Sequence, residues 1–144
     1  MLRSFAAAAA VSIATSAWSQ PDLLAKAAKE PGAQVTPSGL VFRSLKTGSG
    51  PSPQASDKVR VHYRGTFADG KEFDSSYARG QPAEFPLDRV IKCWTEGVQL
   101  IKVGGKAKLT CPAAIAYGER GAGGVIPPGA TLQFEVELLG IAGR

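Results

Sequence analysis

Apolar and polar positions alternate strictly in KVRVHYRGTF: Val59, Val61, Tyr63 and Phe67 share one face, and Lys58, Arg60, His62 and Arg64 the other. A period of two is the pattern of a half-buried strand. Asp69-Gly70 follows and supplies turn chemistry for a hairpin into KEFD. The same alternation returns in KAKLTC, with Ala107, Leu109 and Cys111 on one side, and in TLQFEVELLGI, with Leu132, Phe134, Val136 and Leu138 inward. GLVFRSLKTGSG reads as a further strand running into a Gly/Ser/Pro loop. The rhythm changes in VIKCWTEGVQLI. At about 100° per residue, Val90, Ile91, Trp94, Gly97, Val98 and Ile101 form one apolar arc, with Cys93 at its edge beside Leu100. Antiparallel strands with one helix imply an α+β layer in which a curved sheet wraps over the helix.

The two ends of the chain and its loops carry other signals. MLRS holds one positive charge, FAAAAAVSIATSA is apolar, and Ala17-Trp18-Ser19 fits small-x-small before a cut. Residues 1–19 therefore read as a cleavable signal peptide, and the mature protein as periplasmic or secreted. The apolar run falls short of the ~20 residues that span a bilayer, so no membrane association is expected after cleavage. Residues 20–34 include PDLLAKAAKE, two or three helical turns stopped by Pro31-Gly32, and read as a mobile lead-in. Residues 35–144 form the folded domain. PAAIAYGERGAGGVIPPGA places four glycines within 118–124, a loop able to take unusual backbone angles.

Composition narrows the chemistry. The 144 residues are 44% hydrophobic with a net charge of +5, and Lys and Arg are scattered among Asp and Glu. A solvated surface explains that balance, and no nucleic-acid partner is expected. The sequence holds no GxSxG elbow, phosphate loop, HExxH or CxxC, and GERGAGG does not match GxGxxG. Two cysteines and one histidine do not complete a tetrahedral metal site, so neither a metal nor a cofactor is expected. His62, on the polar face of its strand, reads as solvated rather than as a base. What remains is aromatic: Tyr63, Phe73, Phe85, Trp94, Tyr117 and Phe134, which alone describe only an aromatic core.

Their order says more. VHYRGTFADGKEFDSS, FPLDRVIKCWTEGVQLIKVGGKAKLT and IAYGERGAGGVIPPGATLQFEVELL strongly resemble the FK506-binding-protein family of peptidyl-prolyl isomerases, over roughly residues 35–144. The resemblance implies a five- or six-stranded antiparallel sheet curved around one short helix, with an apolar pocket between them. Tyr63, Asp74, Ile91, Trp94 and Tyr117 would act on the substrate, and Phe73, Phe85, Val90, Ile126 and Phe134 would hold it. Trp94 would be the floor, the Ile91 amide and the Tyr117 hydroxyl donors, and Asp74 a carboxylate at the rim. The implied partners are proline-containing unfolded chains and FK506-like macrolides. The alternative is a chaperone-like module that holds unfolded chains in the same groove. Two departures stand out. Ala83 replaces an aromatic of some members, which would widen the pocket, and Cys93 replaces the usual glycine before the tryptophan.

The short N-terminal helix argues for a monomer. Export and an even cysteine count favour oxidation. Cys93 at the edge of the helical arc and Cys111 on the inward phase of its strand lead to an expected Cys93–Cys111 disulfide. Two separate buried thiols remain the alternative.

Overall fold

The structure, a computed structural model, describes residues 20–142, so the signal-peptide reading lies outside the described residues. A nine-residue helix α1 (Gln20–Ala28) leads into strands β1 (Ala33–Val35), β2 (Val41–Lys46), β3 (Lys58–Thr66) and β4 (Glu72–Ser75). One helical turn, α2 (Ser76–Arg79), and strand β5 (Ala83–Pro86) follow. A 3₁₀ turn over Leu87–Arg89 then delivers the chain to α3 (Lys92–Val98), β6 (Lys106–Cys111) and β7 (Leu132–Ile141).

All pairings are antiparallel, in the order β1-β2-β6-β7-β3-β4, with β5 also paired to β3. The sheet thus has seven strands where the resemblance implied five or six. β1 and β5 are three and four residues long, too short to show a period. β4 and β5 share β3 end to end: β4 pairs with Arg64–Thr66 and β5 with Lys58–Val61.

The alternation read from the chain sets the core. Along β7, Leu132, Phe134, Val136 and Leu138 are buried while Gln133, Glu135 and Glu137 are half-exposed. Val59, Val61 and Tyr63 of β3, and Ala107, Leu109 and Cys111 of β6, complete one apolar face. On it lies α3, through Cys93, Trp94 and Val98. The contact is close at Gly97, where an added methyl carbon would stand 2.8 and 2.9 Å from the two Leu109 Cδ atoms.

Two expectations need correction. The lead-in is docked rather than loose. Ala27 of α1 is buried, and the Glu30 carboxylate accepts from Lys108 Nζ at 3.0 Å, over the face of β6 opposite α3. Thr110, on the polar phase of β6, is fully buried as well, and its hydroxyl accepts from Gln133 Nε2 at 3.2 Å. His62 is half-buried, not solvated: its ring stacks on Tyr77 at 4.6 Å and its Nδ1 lies 2.8 Å from Ser76 Oγ. The same hydroxyl accepts from the Tyr63 backbone N–H, so His62 helps to lock β3 to the α2 turn. Ser75 caps that turn by accepting from the Ala78 N–H, and Gly80 ends it at φ 78°.

Candidate functional site

Trp94 lies on the inner side of α3, 4% exposed, at the bottom of a cleft of about 350 Å³. Three rings stand nearly perpendicular to the indole: Tyr63 at 5.2 Å and 85°, Phe85 at 5.5 Å and 87°, and Phe134 at 5.5 Å and 89°. They come from β3, β5 and β7, so four separate elements build one floor and three walls. Perpendicular contacts set a positive ring edge against a negative ring face, which favours this arrangement over collapse into a face-to-face stack. Phe73 of β4 extends the wall, edge-on to Phe134 at 5.7 Å and tilted against Phe67 at 4.8 Å. Gly65 leaves room for it: a methyl carbon there would meet the Phe73 ring at 2.6 Å.

The side nearest α3 is made of backbone as well as side chains. Val90 and Ile91 are not helical, contrary to the apolar arc, and Ile91 is the N-cap, at φ −59° and ψ 151°. Its carbonyl accepts from the Trp94 and Thr95 N–H groups, at 3.0 and 3.1 Å. Its own N–H donates to no backbone carbonyl among the described residues, as expected of a group before the first helical turn. The Thr95 hydroxyl donates to the Leu87 carbonyl at 2.5 Å, pinning the helix to the preceding 3₁₀ turn and fixing where Ile91 lies.

At the rim, the Tyr63 hydroxyl donates to Asp74 Oδ2 at 2.5 Å. Arg79 Nη1 donates to Asp74 Oδ1 at 2.6 Å, and Arg79 Nη2 to the Tyr63 hydroxyl at 3.1 Å. Burial pushes the Asp74 carboxyl up, but the hydrogen bonds from Tyr63 and Arg79, together with the Arg79 charge, outweigh it and hold it below its ordinary value. Burial and the Asp74 contact push the Tyr63 hydroxyl up, and burial with the Asp74 charge does the same for Tyr117. Near neutral pH the rim therefore holds a carboxylate, a guanidinium and two neutral phenols. Tyr117 is 38% exposed and stands on the loop opposite, where its carbonyl accepts from the Gly121 N–H at 3.1 Å. That loop is folded tightly: a side chain at Gly121, φ 70°, would place its Cβ 2.2 Å from the Ile126 carbonyl oxygen.

Of the ten residues expected at the site, nine line the cleft: Tyr63, Phe73, Asp74, Phe85, Val90, Ile91, Trp94, Tyr117 and Phe134. Ile126 does not. It is buried in the core cluster that also holds Trp94 and Phe134, and it is bridged to Ala122. Ala83 is also outside the lining, paired to Val61 on β3 and packed against the core. Arg89 lines the cleft and Arg79 braces it, and neither was expected. The signal for Arg89 was its place two residues before Ile91. For Arg79 the signal was weak: Asp74 is five residues away, a spacing set by the turn of α2, and Tyr63 is 16 residues away.

Cys93 and Cys111 are joined in a disulfide, both fully buried. The bond ties α3 to the end of β6, on the residue just before the floor.

Comparison with known proteins agrees with this geometry. A family model described as FKBP-type peptidyl-prolyl cis-trans isomerase matches residues 50–139. The FKBP-type 22 kDa peptidyl-prolyl cis-trans isomerase of Escherichia coli is 56% identical over 114 residues, 79% of this chain and 55% of the relative. The FKBP-type peptidyl-prolyl cis-trans isomerase FkpA of Aeromonas hydrophila is 54% identical, over 83% of this chain and 44% of its own length. The chain thus spans about half the length of these curated relatives. Among solved structures, FkpA from Escherichia coli superposes with a TM-score of 0.82 at 49% identity, over 85% of this chain and 57% of that one. A peptidyl-prolyl cis-trans isomerase from Pseudomonas syringae gives a TM-score of 0.80 at 36% identity, over 92% of this chain and 98% of that one.

Proposed function

The chain belongs to the FKBP-type peptidyl-prolyl cis-trans isomerase family, and we propose that it catalyses rotation about X-Pro bonds in exported polypeptides, with the proline ring resting on Trp94. The observation that carries this reading is the indole floor walled by three perpendicular rings, with the Ile91 N–H at its edge. Rotation meets a barrier of about 18–20 kcal/mol because the amide C–N bond has partial double-bond character. Twisting the amide removes that conjugation and its charge separation. An apolar pocket therefore costs the twisted form less desolvation than either planar isomer. Each ~1.4 kcal/mol of preference for the twisted form gives a tenfold rate increase.

Polar groups orient the chain around this apolar centre. The Ile91 N–H and the Tyr117 hydroxyl donate to substrate carbonyls, and the Asp74 carboxylate, held by Tyr63 and Arg79, fixes the Tyr63 ring against the indole. No proton transfer or covalent intermediate enters this scheme. Asp74 has two donors of its own and acts by position rather than as a base.

Residues 1–19 act in this proposal as an export signal, with folding in the periplasm as the setting. No helix among the described residues is long and apolar enough to cross a membrane. FK506-like macrolides, which mimic the twisted amide, compete for the same cleft. A proline-limited refolding reaction tests the reading: the folded protein accelerates the slow phase, and the macrolide abolishes the acceleration. A rate equal to the uncatalysed background would refute it. Suppression of aggregation that survives Tyr117→Phe, without any acceleration, would point to the chaperone-like alternative instead.

A further inference from the structure

Resting on the isomerase reading above, we propose that Arg89 makes the site selective for a carboxylate on the residue next to the substrate proline. Four ionisable side chains line the cleft: Tyr63, Asp74, Arg89 and Tyr117. The Asp74 charge is already matched by Arg79 at 2.6 Å and by the Tyr63 hydroxyl. Burial raises both Tyr63 and Tyr117, so neither phenol carries charge near neutral pH. Arg89 is left over. Among the described residues it joins none of the ion pairs, and its exposed guanidinium has no hydrogen-bond partner.

Its position directs that charge at the substrate. Arg89 ends the 3₁₀ turn two residues before Ile91, whose amide meets a substrate carbonyl beside the proline. A guanidinium offers a planar fork of donors that matches a carboxylate and costs less desolvation than an ammonium. Asp88, Lys92 and Glu96 line an adjoining cleft that shares only Val90 with this one. Glu96 there is engaged by the Ser38 hydroxyl at 2.5 Å. With acidic and basic groups mixed in that cleft, long-range attraction is weak, and the selectivity comes from direct contact in the bound complex.

An exposed pair of this kind contributes up to ~1 kcal/mol, or about fivefold in kcat/KM. The test is exchange NMR at low salt on tetrapeptides carrying Glu, Gln or Lys immediately before or immediately after the proline. Wild type should turn over the Glu peptide about fivefold faster than the Lys peptide at one of the two positions. Arg89→Gln should erase that ratio and Arg89→Glu invert it, while Lys92→Gln leaves it in place. Equal rates for Glu and Lys at both positions would overturn the proposal. So would a ratio that survives Arg89→Gln or disappears in Lys92→Gln. Failure of wild type to accelerate even the Gln peptides would instead remove the isomerase reading on which this one rests.

Discussion

The two ends of α3 lie on the same sheet and are packed in opposite ways. At the C-terminal end, Gly97 lies so close to Leu109 that an added Cβ would force that side chain to shift, and Val98 is fully buried; the disulfide clamps Cys93, in the first turn, to β6. At the N-terminal end, Val90 and Ile91 are only half-buried and a cleft of about 350 Å³ remains open. The difference is in what the sheet sends up. Beneath Gly97 it offers branched aliphatic groups, which interdigitate to crystal-like density. Around Trp94 it offers three rings that stand nearly perpendicular to the indole and wall a cleft instead of filling it. A binding site thus arises beside the packed core without a separate domain, because the rings around Trp94 enclose the cleft rather than fill it.

The strongest way to break that contrast is Trp94→Ala. Removing the floor takes away three ring contacts and leaves a void, and large aromatic truncations of this type cost about 3–5 kcal/mol. Urea unfolding should register that loss, and isomerase activity should vanish. Trp94→Phe, which keeps an aromatic floor, should recover most of the stability, so that activity is compared between folded proteins. If Trp94→Ala were as active as wild type, the floor would have no part in catalysis.

The clamp should separate stability from activity. Replacing both cysteines by alanine opens a bridge between residues 18 positions apart, a loss of about 3 kcal/mol in the chain-entropy account. The folded fraction should keep its kcat/KM, because both cysteines are fully buried and neither lines the cleft. Loss of activity in step with the bond would mean that the clamp also positions Ile91 or Trp94.

A smaller effect belongs to the rim. The Asp74 carboxyl titrates below its ordinary value of 3.8 in the folded protein, despite the opposing effect of burial. Its contribution to stability is therefore complete above the ordinary carboxylate range and is lost as pH falls through the folded value. Wild type should lose stability on acidification below about pH 4, and Asp74→Asn should be less stable near neutrality with a flatter acid limb. Parallel acid limbs in the two proteins would place the acid sensitivity elsewhere.

Much of this was legible in the chain, and the failures share a cause. The alternation in KVRVHYRGTF and TLQFEVELLGI identified β3 and β7 because period two persists over nine and ten residues. β1 and β5, at three and four residues, give no period to read. The helical arc named Trp94 and Val98 correctly but ran through Val90 and Ile91, which the 3₁₀ turn before α3 takes out of the helix. His62 sat on the polar phase as expected. Its burial comes from Tyr77, a residue of the α2 turn that no local pattern aims at β3. Nine cleft residues followed from the motifs. Arg79 and Arg89 did not: each sits within five residues of a cleft residue, but only the α2 turn and the 3₁₀ turn decide that it reaches the cleft.

The sequence by itself determined which side of each strand faces inward, where the helix lies, and the family to which the chain belongs. Periodicity and motif order are local properties, and they survive without coordinates. Only the tertiary structure decided what each inward side chain meets. Strand pairing brings Tyr63 opposite Val136 and Val59 opposite Phe85, and so surrounds Trp94 with rings from three strands. The same pairing carries Cys111 under α3, where Cys93 moves from the edge of an apolar arc to a fully buried bond. Period specifies a direction, whereas register and helix placement specify the neighbour, and a binding site is made of neighbours.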